Sequence, residues 1–272
     1  MKRVGLLALA IALVVPGICF ASLGTGAVFS LGGDARDLGL AGAGVALADG
    51  PGALFTNPAA LAWLRGLNVL SAYSDQFGAA GASSLAIAAA GFGFGGVMLD
   101  SGPITEELSY RVEGFAVGLG LPLASDLALG GRVRVLHHVF PKEALGWAWD
   151  LAFIWRGPVS LGALVEGLLS QPAFPGEEWP RSVSVGAALP LPLSSPLAGS
   201  VAFAATGLGA EAPVIRLGVE LWAGGLGIRG GFAGGALTFG FSVKWGALDL
   251  GWAAEIHPAL PTAFEISLRL EF

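Results

Sequence analysis

The sequence predicts an all-β fold, a transmembrane antiparallel β-barrel of about fourteen strands. Three observations carry that expectation. Charged residues make up only 12% of the chain, hydrophobic ones reach 54%, and mean hydropathy is +0.72, whereas soluble domains carry roughly 25% charge. Apolar and polar residues alternate with a period of two in run after run. Proline and glycine interrupt the uncharged stretches that are otherwise long enough for membrane helices.

The alternation is plainest at the end of the chain, where Phe264, Ile266, Leu268, Leu270 and Phe272 interleave with Glu265, Ser267, Arg269 and Glu271. A strand places these on one apolar and one polar face. A helix would turn the same charges towards lipid at a cost of several kcal/mol. Leu237, Phe239, Phe241, Val243 and Trp245 likewise oppose Thr238, Ser242 and Lys244. Ile215, Leu217, Val219 and Leu221 oppose Arg216 and Glu220; Trp147, Trp149, Leu151, Phe153 and Trp155 oppose Asp150 and Arg156; Leu248, Leu250 and Trp252 oppose Asp249 and Glu255. Each run is about nine to eleven residues, the length of a tilted strand crossing a bilayer. Hydrocarbon offers the backbone no partners, so such strands must close on one another.

The runs centre near Val69, Ala86, Gly95, Val117, Val133, Leu151, Leu161, Val185, Ala202, Leu217, Ile228, Phe241, Leu250 and Leu268. The uncharged stretch 182–210 contains Pro190, Pro192 and Pro196 beside Ser194 and Ser195, a turn rather than a span. The stretch 76–99 is rich in Gly and Ala, with Gly91, Gly93, Gly95 and Gly96 close together. Alternation changes phase near Glu113, which predicts a bulge there. Trp147, Trp155, Trp222, Trp245 and Trp252 fall near run ends or on outward faces, where interfacial girdles sit. An even strand number puts both termini on the same side. The longer connections, 140–145 and 169–180, then lie outside and short ones such as 156–158 in the periplasm.

Residues 1–21 read as a secretory signal. Lys2 and Arg3 precede an apolar stretch at 4–15, Pro16 and Gly17 break it, and Cys19-Phe20-Ala21 offers a cleavage site before Ser22. Lipid modification at Cys19 is the poorer reading, because bulky Ile18 stands where a small residue belongs. Cys19 is the sole cysteine, so the mature chain has no disulfide. The net charge of −6 becomes more negative once Lys2 and Arg3 leave, which excludes nucleic acid as a partner.

Residues 22–65 differ from the barrel at 66–272. Small residues dominate, Asp49-Gly50-Pro51 is a turn, and close backbone packing in a confined space is expected. The order Gly33-Asp34-Ala35-Arg36, then Leu38-Gly39-Leu40-Ala41-Gly42-Ala43-Gly44-Val45-Ala46-Leu47-Ala48-Asp49-Gly50, then Ala53-Leu54-Phe55-Thr56-Asn57-Pro58-Ala59-Ala60-Leu61 resembles the N-terminal signature of the FadL/PorV superfamily of outer-membrane barrels. The match as a string covers 33–61; the barrel matches in pattern and strand number alone. The resemblance implies a hatch segment inside the periplasmic end of the barrel, including Asp34, Arg36, Asp49, Asn57 and Pro58. It also implies the bacterial outer membrane as location, with its lipid as surroundings, and a terminal strand ending at Phe272 that resembles the signal read by barrel-assembly machinery. The chain is shorter than the family's fatty-acid transporters and its loops are brief, so their substrate does not carry over. In their own terms, Asp49 and Asn57 are turn and cap residues, and Gly42 and Gly44 are close-packing positions without the βαβ unit a nucleotide needs.

No constellation for enzymatic chemistry is visible. His137, His138 and His257 have no Gly-x-Ser-x-Gly element beside them, and strand neighbours 137 and 138 point to opposite faces, away from a shared metal. No cofactor is implied. Arg132, Arg134, Asp150, Arg156, Glu166, Arg216, Glu220, Arg229, Lys244, Asp249, Glu255, Glu265 and Arg269 project to the lumen on this register, and their mixed signs suit ion pairs bracing the hatch. Arg132, Arg134, Arg216, Glu220, Arg229 and Lys244 are the candidate ligand path. A water-filled porin would carry more lumen charge and a long constriction loop. Two functions stand: passive transport of small hydrophobic compounds, or a PorV-like structural or partner-binding barrel serving protein export through Lys142, Glu143, Glu177 and Glu178.

Overall fold

A computed structural model describes residues 26–103, 109–140, 142–177, 179–209 and 213–272; the expected signal peptide at 1–21 and Glu178 lie outside them. The chain forms β1 (Leu67–Gln76), β2 (Ala80–Ala89), β3 (Phe92–Pro103), β4 (Ser109–Pro122), β5 (Leu127–Phe140), β6 (Ala144–Arg156) and β7 (Ser160–Gln171). It continues through β8 (Ser182–Pro190), β9 (Leu197–Leu208), β10 (Val214–Ala223), β11 (Leu226–Ala233), β12 (Ala236–Trp245), β13 (Leu248–Ile256) and β14 (Ala263–Glu271). Each strand pairs antiparallel with its neighbours in sequence, and β14 returns to β1, closing the barrel. Every run centre named above falls inside its own strand. The two uncharged stretches are pairs of strands, and Pro192 and Pro196 lie in the connection between β8 and β9.

The alternation decides what surrounds the barrel. Phe92 is 62% exposed and Trp245 81%, while Arg132 is 3% and Glu220 4%. Apolar side chains outside and charges inside invert the arrangement of a soluble protein, and a lipid-facing belt is the solvent that makes it stable. Trp222 departs from the girdle pattern. It lies at the end of β10 but on the face of Glu220, turned inwards so that the Arg229 guanidinium lies 5.5 Å from its ring.

The expected bulge is present between Arg111 and Val112, next to Glu113, together with register shifts at 100/103, 149/151 and 183/185 that alternation did not signal. The shift in β7 has a chemical reason. Gly167, with φ +64°, turns its N–H onto the Asp150 carboxylate at 2.9 Å, a conformation open to glycine without strain. The expected long connection at 140–145 shrinks to 141–143, because β5 runs to Phe140 and β6 begins at Ala144. That at 169–180 is 172–181. The barrel is uneven in height: β4 and β5 have 14 residues each, β11 has 8 and β13 has 9.

Ahead of β1, the chain folds into α1 (Ala35–Gly39), α2 (Ala53–Thr56) and 3-10 turns at Ala27–Gly32, Gly44–Ala46 and Pro58–Trp63. Local chemistry sets these short pieces. Asp34 accepts from Asp37 N at 3.1 Å to cap α1, and Asn57 accepts from Ala59 N at 3.2 Å with Pro58 at the first position of its turn. Phe29, Leu40, Leu54 and Leu61 are fully buried. The main core is thus formed between this segment and the inner wall, with Val97, Leu136, Ile154 and Leu164 from the strands.

Candidate functional site

The interior has two sides. Along β3–β7 the N-terminal segment packs by shape and by backbone hydrogen bonds. Leu54 and Leu61 lie over Gly93 and Gly118, and a methyl group at Gly130 would run into the backbone of Ala59. Arg132 donates through Nη1 to Leu54 O at 2.9 Å and also to Phe55 O. Its Nε reaches Asp150 at 2.6 Å and its Nη2 reaches Glu166 at 2.8 Å. Arg134 pairs with the same two carboxylates at 2.7 and 3.2 Å. Two arginines and two carboxylates therefore balance beneath the segment, as buried charge requires.

Above that cluster lies an aromatic clasp. The Arg134 guanidinium is 5.1 Å from the Phe29 ring and 5.4 Å from the Trp179 ring, and those rings stack at 6.2 Å. Trp179 belongs to the β7–β8 connection, at the opposite end from the termini. The segment is therefore not confined to the end where the termini lie. Asn57 Nδ2 bridges Val45 O at 2.9 Å and Phe153 O at 3.0 Å. Arg156 donates to Ala48 O at 3.1 Å and its guanidinium lies 4.1 Å from the Trp63 ring.

Along β10–β14 the contacts are mostly ionic. Arg36 meets Glu220 in bidentate fashion, at 2.7 and 2.8 Å, and Asp49 at 3.2 Å. Arg229 lies 3.3 Å from Glu220 and donates to Ser242 Oγ at 2.8 Å. Arg269 reaches Asp34 at 2.6 Å and Asp49 at 3.1 Å. Arg216 donates to Ala41 O at 2.8 Å, Thr238 to Gly39 O at 2.9 Å, and Ser267 Oγ accepts from Ala35 N at 3.2 Å. Asp37 takes the Thr56 hydroxyl as donor. Burial, reinforced by the Asp34 carboxylate, pushes Asp37 up to about 7.

Of the candidate path, Arg132, Arg134, Arg216, Glu220 and Arg229 thus contact the segment or its immediate partners, and Asp34, Arg36, Asp49, Asn57 and Pro58 lie in the segment itself. Lys244 stands apart, half-exposed at the rim and 3.3 Å from Glu271. His138 is buried against Phe174, whereas His137 turns the other way to Glu113 and Glu143. Sequence reasoning missed Phe29, Trp179, Thr238 and Ser267 as anchors. For Trp179 the available signal was a second bulky aromatic, beside Phe174, within a proline-bearing connection. The arrangement is a chain segment held in a lumen by many separate, individually reversible contacts.

No protein-family model matches the sequence, and comparison with curated proteins finds no match. Solved structures do match. A FadL homologue of Pseudomonas aeruginosa superposes over 88% of this chain and 98% of its own at a TM-score of 0.55 and 13% identity. The fold is a FadL-type barrel. The monoaromatic hydrocarbon channel CymD aligns with this chain at a TM-score of 0.58 and 12% identity, covering 89% of it and 98% of CymD. The toluene transporter TodX of P. putida gives 0.53 and 14%, over 89% and 99%. At these identities the likeness is one of fold.

Proposed function

We propose that this FadL-like barrel resides in the bacterial outer membrane and passes small hydrophobic compounds, with the N-terminal segment as the movable closure of its lumen. The observation that carries the reading is how the segment is held. Its charged and polar anchors come from separate strands on two sides of the wall, β5 and β6 on one and β10, β12 and β14 on the other, so local release opens part of the lumen without unfolding the barrel. The hydrocarbon channels with the same fold supply the cargo class. The terminal strand β14 pairs with β1 and ends on exposed Phe272, which suits recognition by barrel-assembly machinery. No catalytic role is part of the reading.

The test is uptake of radiolabelled toluene by intact cells that carry or lack the chain. Faster uptake with the chain, lost when a disulfide engineered between α1 and β13 pins the segment, is the expected result. Equal uptake in all strains, together with a protein that co-purifies at fixed stoichiometry, would replace transport by the partner-binding reading through Lys142, Glu143 and Glu177.

A further inference from the structure

On the β10–β14 side the cations are already committed. Arg36 serves Glu220 and Asp49, Arg269 serves Asp34 and Asp49, and Arg229 adds to Glu220. Asp37 makes no ion pair among the described residues; the Thr56 hydroxyl and a neighbouring glycine, Gly44, crowd its carboxyl. Glu265, on the inner face of β14, is 7% exposed, and its Oε1 has no hydrogen-bond partner among the described residues. The charges that bear on Glu265 are those of Asp34 and Asp37, both negative. The other charged groups facing α1 are Arg216 and Glu220 on β10, Arg229 on β11, Lys244 on β12, Asp249 and Glu255 on β13, and Arg269 on β14, with Arg216 engaged by Thr206 and the Ala41 carbonyl. Lys244 is held at the rim by Glu271, and Asp249 and Glu255 lie near the strand ends. Carboxylates outnumber the available cations here, and two neighbouring buried carboxylates cannot both stay ionised without a counter-charge.

We propose that Asp37 and Glu265 form a proton-binding site that locks α1 against β13 and β14. Protonated, a carboxyl there loses its charge and gains an O–H donor, and the acidic cluster collapses onto the wall. Deprotonated, Asp34, Asp37 and Glu265 repel, and the segment loosens from β14 while the β3–β7 side still holds it. The position of Asp37 near 7 places this change within the ordinary range of bacterial surroundings. The sign follows from linkage. An aspartate in a loosened segment ionises near about 3.9, so the packed segment binds the extra proton between there and about 7. Packing is strongest below that window and weakens as pH rises through it.

The inference rests on the segment being the moving part of the proposed channel, but its readout does not depend on cargo. Hydrogen–deuterium exchange is followed on the full chain in detergent micelles from pH 5 to 8, corrected for intrinsic exchange rates. Opening of peptides spanning 34–57 should rise roughly tenfold per pH unit up to about pH 7 and then level off, while β12 peptides stay protected. Asp37→Asn should flatten the profile with the segment closed, and Glu265→Gln should reduce its slope. Thr56→Val, which removes the donor that favours the ionised aspartate, should move the midpoint upwards. A pH-independent wild-type profile, or a pH dependence that survives both carboxamide variants, overturns the proposal. Lost uptake alongside an intact pH profile would sink the channel reading and leave the proton site standing.

Discussion

The two sides of the lumen hold the same segment by different physics. Along β3–β7, large apolar side chains fill glycine-lined hollows, and the charged cluster beneath the segment is balanced: Arg132 and Asp150 are almost wholly buried, with Glu166 partly exposed. Along β10–β14, Leu40 packs on Gly218, and Arg36, Asp34 and Asp49 add ion pairs with the strands and with one another, with Asp49 about half-exposed. Packing against a fitted wall is insensitive to pH and salt. Ion pairs are tunable by both. The difference suggests a fixed hinge side and a releasable side, and it can be broken or sharpened by substitution.

The largest effect is expected from Arg132→Ala. It leaves Asp150 and Glu166 to share Arg134 alone and frees the carbonyls of Leu54 and Phe55, so urea unfolding in lipid vesicles should register a loss of about 3–5 kcal/mol. Survival at wild-type stability would mean that the cluster is not the fixed point. Leu54→Ala comes next, at about 3 kcal/mol by the same measurement, from lost burial and the cavity left among Gly93, Gly95 and Gly118.

On the releasable side, Arg36→Gln should cost roughly 1–3 kcal/mol, as a hydrogen-bonded charge loses its partner. Exchange at 34–49 should detect it while global unfolding barely moves. Adding Glu220→Gln should return part of that loss; strict additivity would show that the pair is not coupled. The smallest effect on the releasable side is expected of Trp179→Ala, which removes its burial together with a stack and cation–π contact worth about 1 kcal/mol, all at the far end of the segment. Its readout is thiol labelling of a cysteine placed at exposed Ser30, which should speed up while α1 exchange does not.

Much of this was legible because of period two. Once Phe264 to Phe272 alternate, the inward set follows by parity, and Arg132, Glu220 and Arg269 fall on the lumen face without any knowledge of the fold. Parity fails where a residue is inserted. The shift opposite Trp149 and Leu151 turns on Gly167 donating to Asp150, a contact across strands that no local pattern announces. Trp222 shows a second failure, since a run-end tryptophan suits a lipid interface and a lumen equally well until Arg229 is placed beside it.

What the sequence by itself determined is the barrel. Strand number, lipid-facing and lumen-facing residues, and the presence of a small-residue segment before β1 all follow from local periodicity and the need to pair every backbone amide in hydrocarbon. Only the tertiary structure decided the pairings inside. Arg36 with Glu220, Arg269 with Asp34, and Trp179 over Phe29 join residues distant in sequence. Which of several lumen charges meets which depends on barrel closure and on how the segment threads it, and it is this closure that leaves Asp37 and Glu265 without an ion pair among the described residues.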